Sequence, residues 1–412
     1  MSGVPRPLNP SPRLLMGPGP VDVDPRVLRA MSMPMLGQFD PEFTRFMGET
    51  MAAYRQVFRT ANRWTFLIDG TARAGIEAAL ASLIEPGDTV LVPIFGRFGH
   101  LLAEIAGRSG GRVETIEAEW GTVFEPGRAI EAMRRLRPKL VACVHGDTST
   151  TLAQPLAEIG QACREIDAIL YADATASLGG MDIRVDEWRV DVMTAGLQKC
   201  LSGPPGSAPI TFNDRAETRI VRRKHIEAGI RPEGAQNGPG RRIQSNYFDL
   251  AMLMDYWSEA RLNHHTEATS MLYAAHECAR VVLEEGLDAV FARHARVSRG
   301  LTAGLRAMGL ELFGDQRHKM PNVTGVVIPK DVDGEGVRGM MLADFGIEIG
   351  TSFGPLRGRI WRIGTMGYGA SPRNVLLCLG ALEASLRAKG FRAPAGAGVD
   401  AALAAFANKA AA

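Results

Sequence analysis

Lysine is rare in this chain, seven residues against forty arginines, and six of the seven (Lys139, Lys224, Lys319, Lys330, Lys389 and Lys409) stand in charged, turn-like or terminal surroundings. Lys199 does not. It follows the apolar run VDVMTAG (190–196) and precedes the Gly/Pro-rich SGPPG, a strand-end position of the kind where open α/β sheets bind ligands. Desolvation there favours the neutral amine, the form that attacks a carbonyl carbon to make a Schiff base. The competing reading is a lysine that snorkels from a strand end to solvent. Asp173 closes a second apolar run, AILYADA (168–174), and shares the same sheet edge if the two strands are neighbours. A carboxylate there stabilises a protonated pyridine nitrogen, which is how a pyridoxal cofactor becomes an electron sink; otherwise it caps the turn that follows.

Two further features extend the pattern. The strand-to-helix junction Asp69, Gly70, Thr71 offers free backbone N–H groups, a hydroxyl and a helix dipole to a phosphate, or is an ordinary helix cap. It is neither a Walker loop nor a GxGxxG turn. Arg362, inside the apolar run IWRIGTMG (360–367), is a charge that needs a partner, either a substrate carboxylate held by two parallel bonds or a structural ion pair. A lysine, an aspartate and a helix N-terminus at successive strand ends are together what a phosphorylated pyridine aldehyde requires.

The elements that must position these groups alternate as βα units. The strand Trp64 to Asp69 leads into TARAGIEAALASLI, with Ile76, Ala79, Leu80, Leu83 and Ile84 at helical spacing and Thr71 placed to cap it. Strands Thr89 to Ile94, Leu140 to Val144, AILYADA and VDVMTAG follow, with a helix around PLAEIGQACREI. From about residue 285 the runs PNVTGVVIP, FGIEIGTSF and RIWRIGTMG, separated by GVRGMMLADF and PRNVLLCLGALEASLRAKG, predict a smaller unit, reached through a helical segment at about Met271 to Glu285. The expected division of the 412 residues is an N-terminal extension (1–20), a large doubly wound α/β domain with a mainly parallel sheet (21–284), a small C-terminal α+β domain (285–392) and an Ala-rich tail (393–412) that is either a weak helix or disordered.

Composition excludes several functions. Forty-seven basic against forty-five acidic residues leave a net charge of +2 with no charged block that would suit nucleic acid or a membrane surface. No run approaches the roughly 18 apolar residues of a membrane helix. The five cysteines (Cys143, Cys163, Cys200, Cys278, Cys378) are odd in number and lack CxxC spacing, so neither a disulfide framework nor a metal site is expected. The Pro-interrupted N-terminus does not read as a secretory signal and the C-terminus is not SKL, which makes the cytoplasm the expected location.

With these residues in view, the chain resembles the class V aminotransferases of pyridoxal phosphate fold type I, in particular the alanine–glyoxylate aminotransferase group. The motifs GPGP (17–20), DGTARAG (69–75), FGRFG (95–99), HGDTST (145–150), ADATASLGG (172–180), GLQKCLSGPPG (196–206), NHHT (263–266) and WRIGTMG (361–367) match in order over nearly the whole chain. The resemblance implies pyridoxal 5'-phosphate as cofactor, with Lys199 as its covalent anchor and proton carrier, Asp173 as partner of the pyridine nitrogen and Phe98 as the stacking ring. Thr148 would bond the phenolic oxygen. Gly70, Thr71, Ala72 and Gln198 would hold the phosphate, Thr175 would lie against the pyridine, and Thr266 would reach the phosphate of the neighbouring subunit of a homodimer. Arg362 would bind the substrate carboxylate. No metal is implied.

Departures from the group's pattern carry the narrower reading. Gln38 stands where many relatives have His, and Asn263 where they have Tyr before HHT; both are neutral amides that donate and accept, as a ureido group would require. This pair resembles the ureidoglycine–glyoxylate branch of the group, in purine (ureide) catabolism. Thr175 replaces an apolar residue, Thr151 replaces the Gly usual after TST, and HGDT replaces HGET. The alternatives are an alanine-, serine- or pyridoxamine-dependent aminotransferase, and a class V lyase or desulfurase, which needs a cysteine on a mobile loop where Cys378 sits in a helical pattern. A non-enzymatic α/β binding protein without the covalent anchor is the third.

Overall fold

A computed structural model of the protein describes residue 3 and residues 5–408. Its centre is a seven-stranded sheet in the order Trp64–Gly70, Gly206–Phe212, Val192–Thr194, Ile169–Asp173, Leu140–Val144, Thr89–Ile94, Arg112–Glu117. Six strands run one way and Gly206–Phe212 is reversed against both neighbours. The inner parallel strands are buried, Leu140–Val144 and Ile169–Asp173 at every residue, because helices cover both faces; that is why they read as unbroken apolar runs. The chain winds from Thr89–Ile94 outward to Arg112–Glu117 and then back to Leu140–Val144 on the other side, which opens a crevice at the C-terminal ends of those two strands.

The helix Ala72–Leu83 leaves the first strand directly and lies on the sheet through its small face, where Gly75 would bring a Cβ to within 3.0 Å of Ala208 Cβ. Thr71 sits at its N-cap, but the hydroxyl makes no cap hydrogen bond, contrary to the expected cap. Neither the reversed strand Gly206–Phe212 nor the exposed edge strand Arg112–Glu117 was predicted from the sequence.

A second hydrophobic cluster gathers Met16, Val297, Leu301, Trp361, Ile363, Leu379 and Leu382. It is built on the antiparallel strands Val323–Val327, Ile360–Gly364 and Gly350–Thr351, with Ile360–Gly364 in the middle, and on the helices Leu287–Ala307, Gly334–Phe345 and Pro372–Ala388. Leu14–Leu15 pairs in parallel with Ile347–Glu348, so the N-terminal segment enters this cluster before GPGP crosses to the large sheet. The predicted bridging helix spans Thr269–Glu285.

The Ala-rich tail forms the helix Ala397–Ala407; residues 409–412 of it, and residues 1, 2 and 4 of the N-terminal segment, lie outside the described residues. Phe406 anchors this helix, its ring seated where a Cβ on Gly300 would collide with it. Arg296 adds a bond from Nη2 to the Phe406 carbonyl at 3.2 Å. Phe406→Ala is therefore expected to cost about 3–5 kcal/mol, and Gly300→Ala to expel the same ring. Both variants should lower Tm and expose the segment after Gly390 to limited proteolysis, whereas wild type resists cleavage there.

Candidate active site

Five strand ends supply one cavity of about 250 Å³, lined by Thr71, Ala72, Phe98, Gly146, Thr148, Asp173, Thr175, Gln198 and Lys199 among others. Asp173 and Thr194 are register partners on adjacent parallel strands, so the turn after Thr194 brings Lys199 to the edge that Asp173 occupies. The conditional neighbourhood expected from the sequence is thus present.

Lys199 is 9% exposed and makes no ion pair among the described residues; its Nζ donates to the Pro18 carbonyl. Burial, and then the nearby Arg362 charge, lower its pKa to about 8. GPGP is fitted to it: Gly19, at φ +98°, passes so close that a Cβ there would overlap the lysine side chain. Asp173 Oδ1 accepts the Thr175 backbone N–H at 2.9 Å and the Thr175 hydroxyl at 2.5 Å. The carboxylate therefore does cap its turn, but with one oxygen only, and Oδ2 has no protein donor among the described residues. Burial raises the Asp173 pKa against the opposing pull of Thr175 and Lys199. His145 behind it is a structural residue: Nδ1 contacts Ser177 Oγ at 2.8 Å, and burial lowers its pKa to about 4, so it is neutral.

Arg362 is 4% exposed and has no carboxylate within ion-pair distance among the described residues. Nη1 donates to the Thr148 carbonyl at 3.0 Å and Nε to the Thr351 carbonyl at 2.6 Å, while its Cζ lies 4.9 Å from the Phe353 ring centre. Its cross-strand partners are both glycines, Gly325 and Gly350, which leave space for Phe313 and Pro18 respectively. Burial lowers its pKa to about 10. A structural ion pair is thereby replaced by a desolvated cation that still lacks an anion.

Several contributing residues were given no role from the sequence, where Asp147 is marked only as the acid of HGDT and Arg97 and Phe353 not at all. Asp147 Oδ2 accepts the Phe98 backbone N–H at 2.9 Å, and Oδ1 accepts Ser149 Oγ at 2.6 Å, so this acid sets the turn that carries the Phe98 ring. Arg97 places its guanidinium 4.6 Å from the Phe353 ring centre, so Phe353 interacts with two cations, Arg97 and Arg362.

Five predicted site residues stand outside the cavity lining: Arg362, which reaches it through the carbonyl of the lining residue Thr148, and Gln38, Asn263, Thr266 and Gly70. Gln38 Nε2 donates to Asn263 Oδ1 at 2.5 Å in an exposed pair, and Thr266 is exposed. Gly70 lies at the rim, next to Thr71.

A family model described as aminotransferase class-V matches residues 28–355. The chain is 56% identical over 398 residues to the (S)-ureidoglycine–glyoxylate transaminase of Bacillus subtilis (strain 168), covering 96% of each protein. The crystal structure of the ureidoglycine–glyoxylate aminotransferase from Bacillus subtilis superposes with a TM-score of 0.92 at 55% identity, covering 98% of this chain and 100% of that one. The alanine–glyoxylate aminotransferase of Drosophila melanogaster is 36% identical, covering 93% of this chain and 94% of its own length.

The electrostatics of the cavity predict a pH profile. In cofactor-free protein, modification of Lys199 by an amine-reactive reagent should rise with a midpoint near pH 8, because burial and Arg362 disfavour the ammonium form. Removing the neighbouring positive charge in Arg362→Gln restores some preference for the ammonium form, so the midpoint should move to higher pH. Peptide mapping of the modified lysine across pH checks both; an unmoved midpoint contradicts the coupling.

Proposed function

The chain belongs to the class-V aminotransferases, and from that premise we propose that it binds pyridoxal phosphate and transfers the amino group of (S)-ureidoglycine to glyoxylate, giving oxalurate and glycine. The observation that carries the reading is a buried, low-pKa lysine and a half-satisfied carboxylate in one strand-end cavity, with an anionless buried arginine bonded to the carbonyl of the lining residue Thr148. The donor set suits the cofactor. The Thr71 hydroxyl is left without a cap bond at a helix N-terminus, and the Gln198 amide oxygen is buried without a partner, so a rotated amide presents its NH₂ to a phosphate. Gly70, Ala72 and Thr71 would hold that phosphate, Thr148 the phenolic oxygen, and Phe98 and Thr175 the two sides of the ring.

When bound, pyridoxal phosphate supplies the electron sink that stabilises the carbanion left at the donor's Cα. Lys199 anchors the cofactor and, once released, takes the proton from Cα, for which its lowered pKa leaves a useful neutral fraction near pH 8. Asp173, through Oδ2, keeps the proton on the pyridine nitrogen. Arg362 holds the carboxylate of donor and acceptor in turn, the anion its burial lacks. GPGP closes Lys199 against Pro18 and limits water beside the amine.

Gln38 and Asn263 are assigned to the ureido end of the donor, presented to the partner's cavity in a homodimer, with Thr266 on the partner's phosphate. Their exposure outside this chain's own cavity supports that arrangement, as do the exposed apolar side chains of Met33, Met35 and Phe39 beside Gln38. The cytoplasm is the proposed location. Among the described residues no helix is long and apolar enough to cross a membrane, and the cysteines are free and buried.

The test is a half-reaction. The pyridoxal form is mixed with (S)-ureidoglycine, L-alanine or L-serine, and loss of the cofactor's visible band is followed. Ureidoglycine should react fastest, and Gln38→Ala or Asn263→Ala should slow it by on the order of 10²-fold or more, since a site built to hydrogen-bond a group discriminates strongly against its loss. Preference for alanine or serine overturns the donor assignment. A monomer by light scattering overturns the shared site.

A further inference from the structure

Three side chains from distant stretches meet behind the phosphate-binding turn. Asp69 ends the strand that leads into Gly70, and His265 and Glu267 come from the turn before the helix Thr269–Glu285. One ligand atom from each lies within 4.8 Å of the others. His265 Nε2 is 3.2 Å from Asp69 Oδ2 and 3.8 Å from Glu267 Oε2. Asp69 Oδ2 also accepts the Ala268 backbone N–H at 2.9 Å, which keeps the carboxylate turned toward this loop.

The neighbouring ring orients this imidazole. A carbonyl only accepts, so His264 Nε2, 3.1 Å from the Asn246 oxygen, carries its proton. His264 Nδ1 faces His265 Nδ1 at 2.8 Å, which leaves His265 Nε2 turned toward two carboxylate oxygens. One of them, Glu267 Oε2, is buried without a hydrogen-bond partner, in a residue 5% exposed. Arg261 spends its Nη groups on the Tyr256 and Thr44 carbonyls. No Lys or Arg pairs with Asp69 or Glu267 among the described residues. Three ligand atoms thus converge in a buried site walled by the Tyr256 and Tyr247 rings at 4.7 and 5.4 Å from His265, and the unpartnered Glu267 oxygen is left for a cation.

We propose that Asp69, His265 and Glu267 bind a divalent transition-metal ion of the zinc type, with water as the fourth ligand. At bond lengths of about 2.0–2.2 Å, tetrahedral ligand atoms stand roughly 3.4 Å apart, between the two separations measured here. One imidazole with two carboxylates suits zinc better than magnesium, which takes oxygen ligands. The bond from His265 Nδ1 to His264 is the outer contact that fixes a metal-bound imidazole. The ion ties the turn that exposes Thr266 to the strand end that enters the phosphate-binding turn, and this role is independent of the amino donor.

The test uses the purified holoenzyme, stripped with a chelator, incubated with Zn²⁺ or with Mg²⁺ as control, and freed of excess ion. Elemental analysis should find roughly one zinc per chain and no magnesium, a Tm raised by Zn²⁺ alone, and retention lost in His265→Gln and in Glu267→Gln. Substitution with Co²⁺ in wild type should give the visible bands of a four-coordinate ion, a readout that needs no variant. Absence of zinc with an unmoved Tm overturns the proposal, as does equal retention by the variants. A metal-independent stability that is lost as pH rises through the histidine range overturns it too, because a proton on His265 is then the positive centre.

Discussion

The active site is organised around a cation that has been taken out of water without being given a counterion. Lys199 is buried beside the buried guanidinium of Arg362, and burial lowers both pKa values; Arg362 adds to the effect on Lys199, while Asp147 opposes and Arg97 adds to the effect on Arg362. Such a cluster costs several kcal/mol per uncompensated ion. The rest of the fold is what makes that cost bearable. Two parallel strands fix the lysine turn relative to Asp173, the GPGP crossing supplies a carbonyl to the amine, and the guanidinium takes one carbonyl from the three-stranded sheet, that of Thr351, and one from the loop that carries Thr148. An anionic cofactor and a carboxylate substrate complete the charge balance, so binding energy is available where the chemistry occurs.

Much of this was legible because buried parallel strands leave a plain trace. The runs ending in Ile94, Val144, Asp173 and Thr194 are buried on both faces, so their ends are plain in the sequence, and Asp173 itself, with Phe98, Gly146 and Lys199 a few residues beyond the other ends, lines the cavity. Lys199 stood out because it is the lysine without charged company. The edge strand Arg112–Glu117 was invisible for the opposite reason, since its sequence RVETIE is half exposed and polar. The reversed strand Gly206–Phe212 was masked by the Gly/Pro-rich segment before it, which reads as loop until the pairing with Trp64–Gly70 is seen. Arg97 and Asp147 act through a ring and a backbone N–H brought together from separate loops, which residue spacing does not encode.

The departures from the aminotransferase pattern have local physical consequences that leave Lys199, Asp173 and Arg362 in place. Thr175 turns its hydroxyl onto Asp173, adding a 2.5 Å bond that favours the ionised carboxylate and so offsets part of its burial. Asp147, one methylene shorter than the usual glutamate, is sealed between Ser149 and the Phe98 turn, with Gly96 leaving it space. Thr151 holds φ +62° where glycine would be relaxed, and its buried hydroxyl has no partner. A left-handed conformation costs a residue other than glycine roughly 1–2 kcal/mol. That strain is held by a bond from the Met320 N–H to the Thr151 carbonyl at 3.0 Å.

These changes adjust how the cavity is braced, and none of them adds a donor or acceptor that could read the far end of a substrate. Within one chain the cavity can grip a carboxylate and a phosphorylated pyridine, which every amino acid transaminase of this kind must do. Discrimination among donors therefore has to come from groups outside the single-chain lining. Gln38 and Asn263 are the amides that the departures supply, and in the isolated chain they satisfy each other through one bond at an exposed position. Each amide retains capacity to donate and accept beyond that bond. In the proposed homodimer, donor specificity and assembly are thus the same question: the amides assigned to the ureido group would act only where a second chain brings them over the lysine.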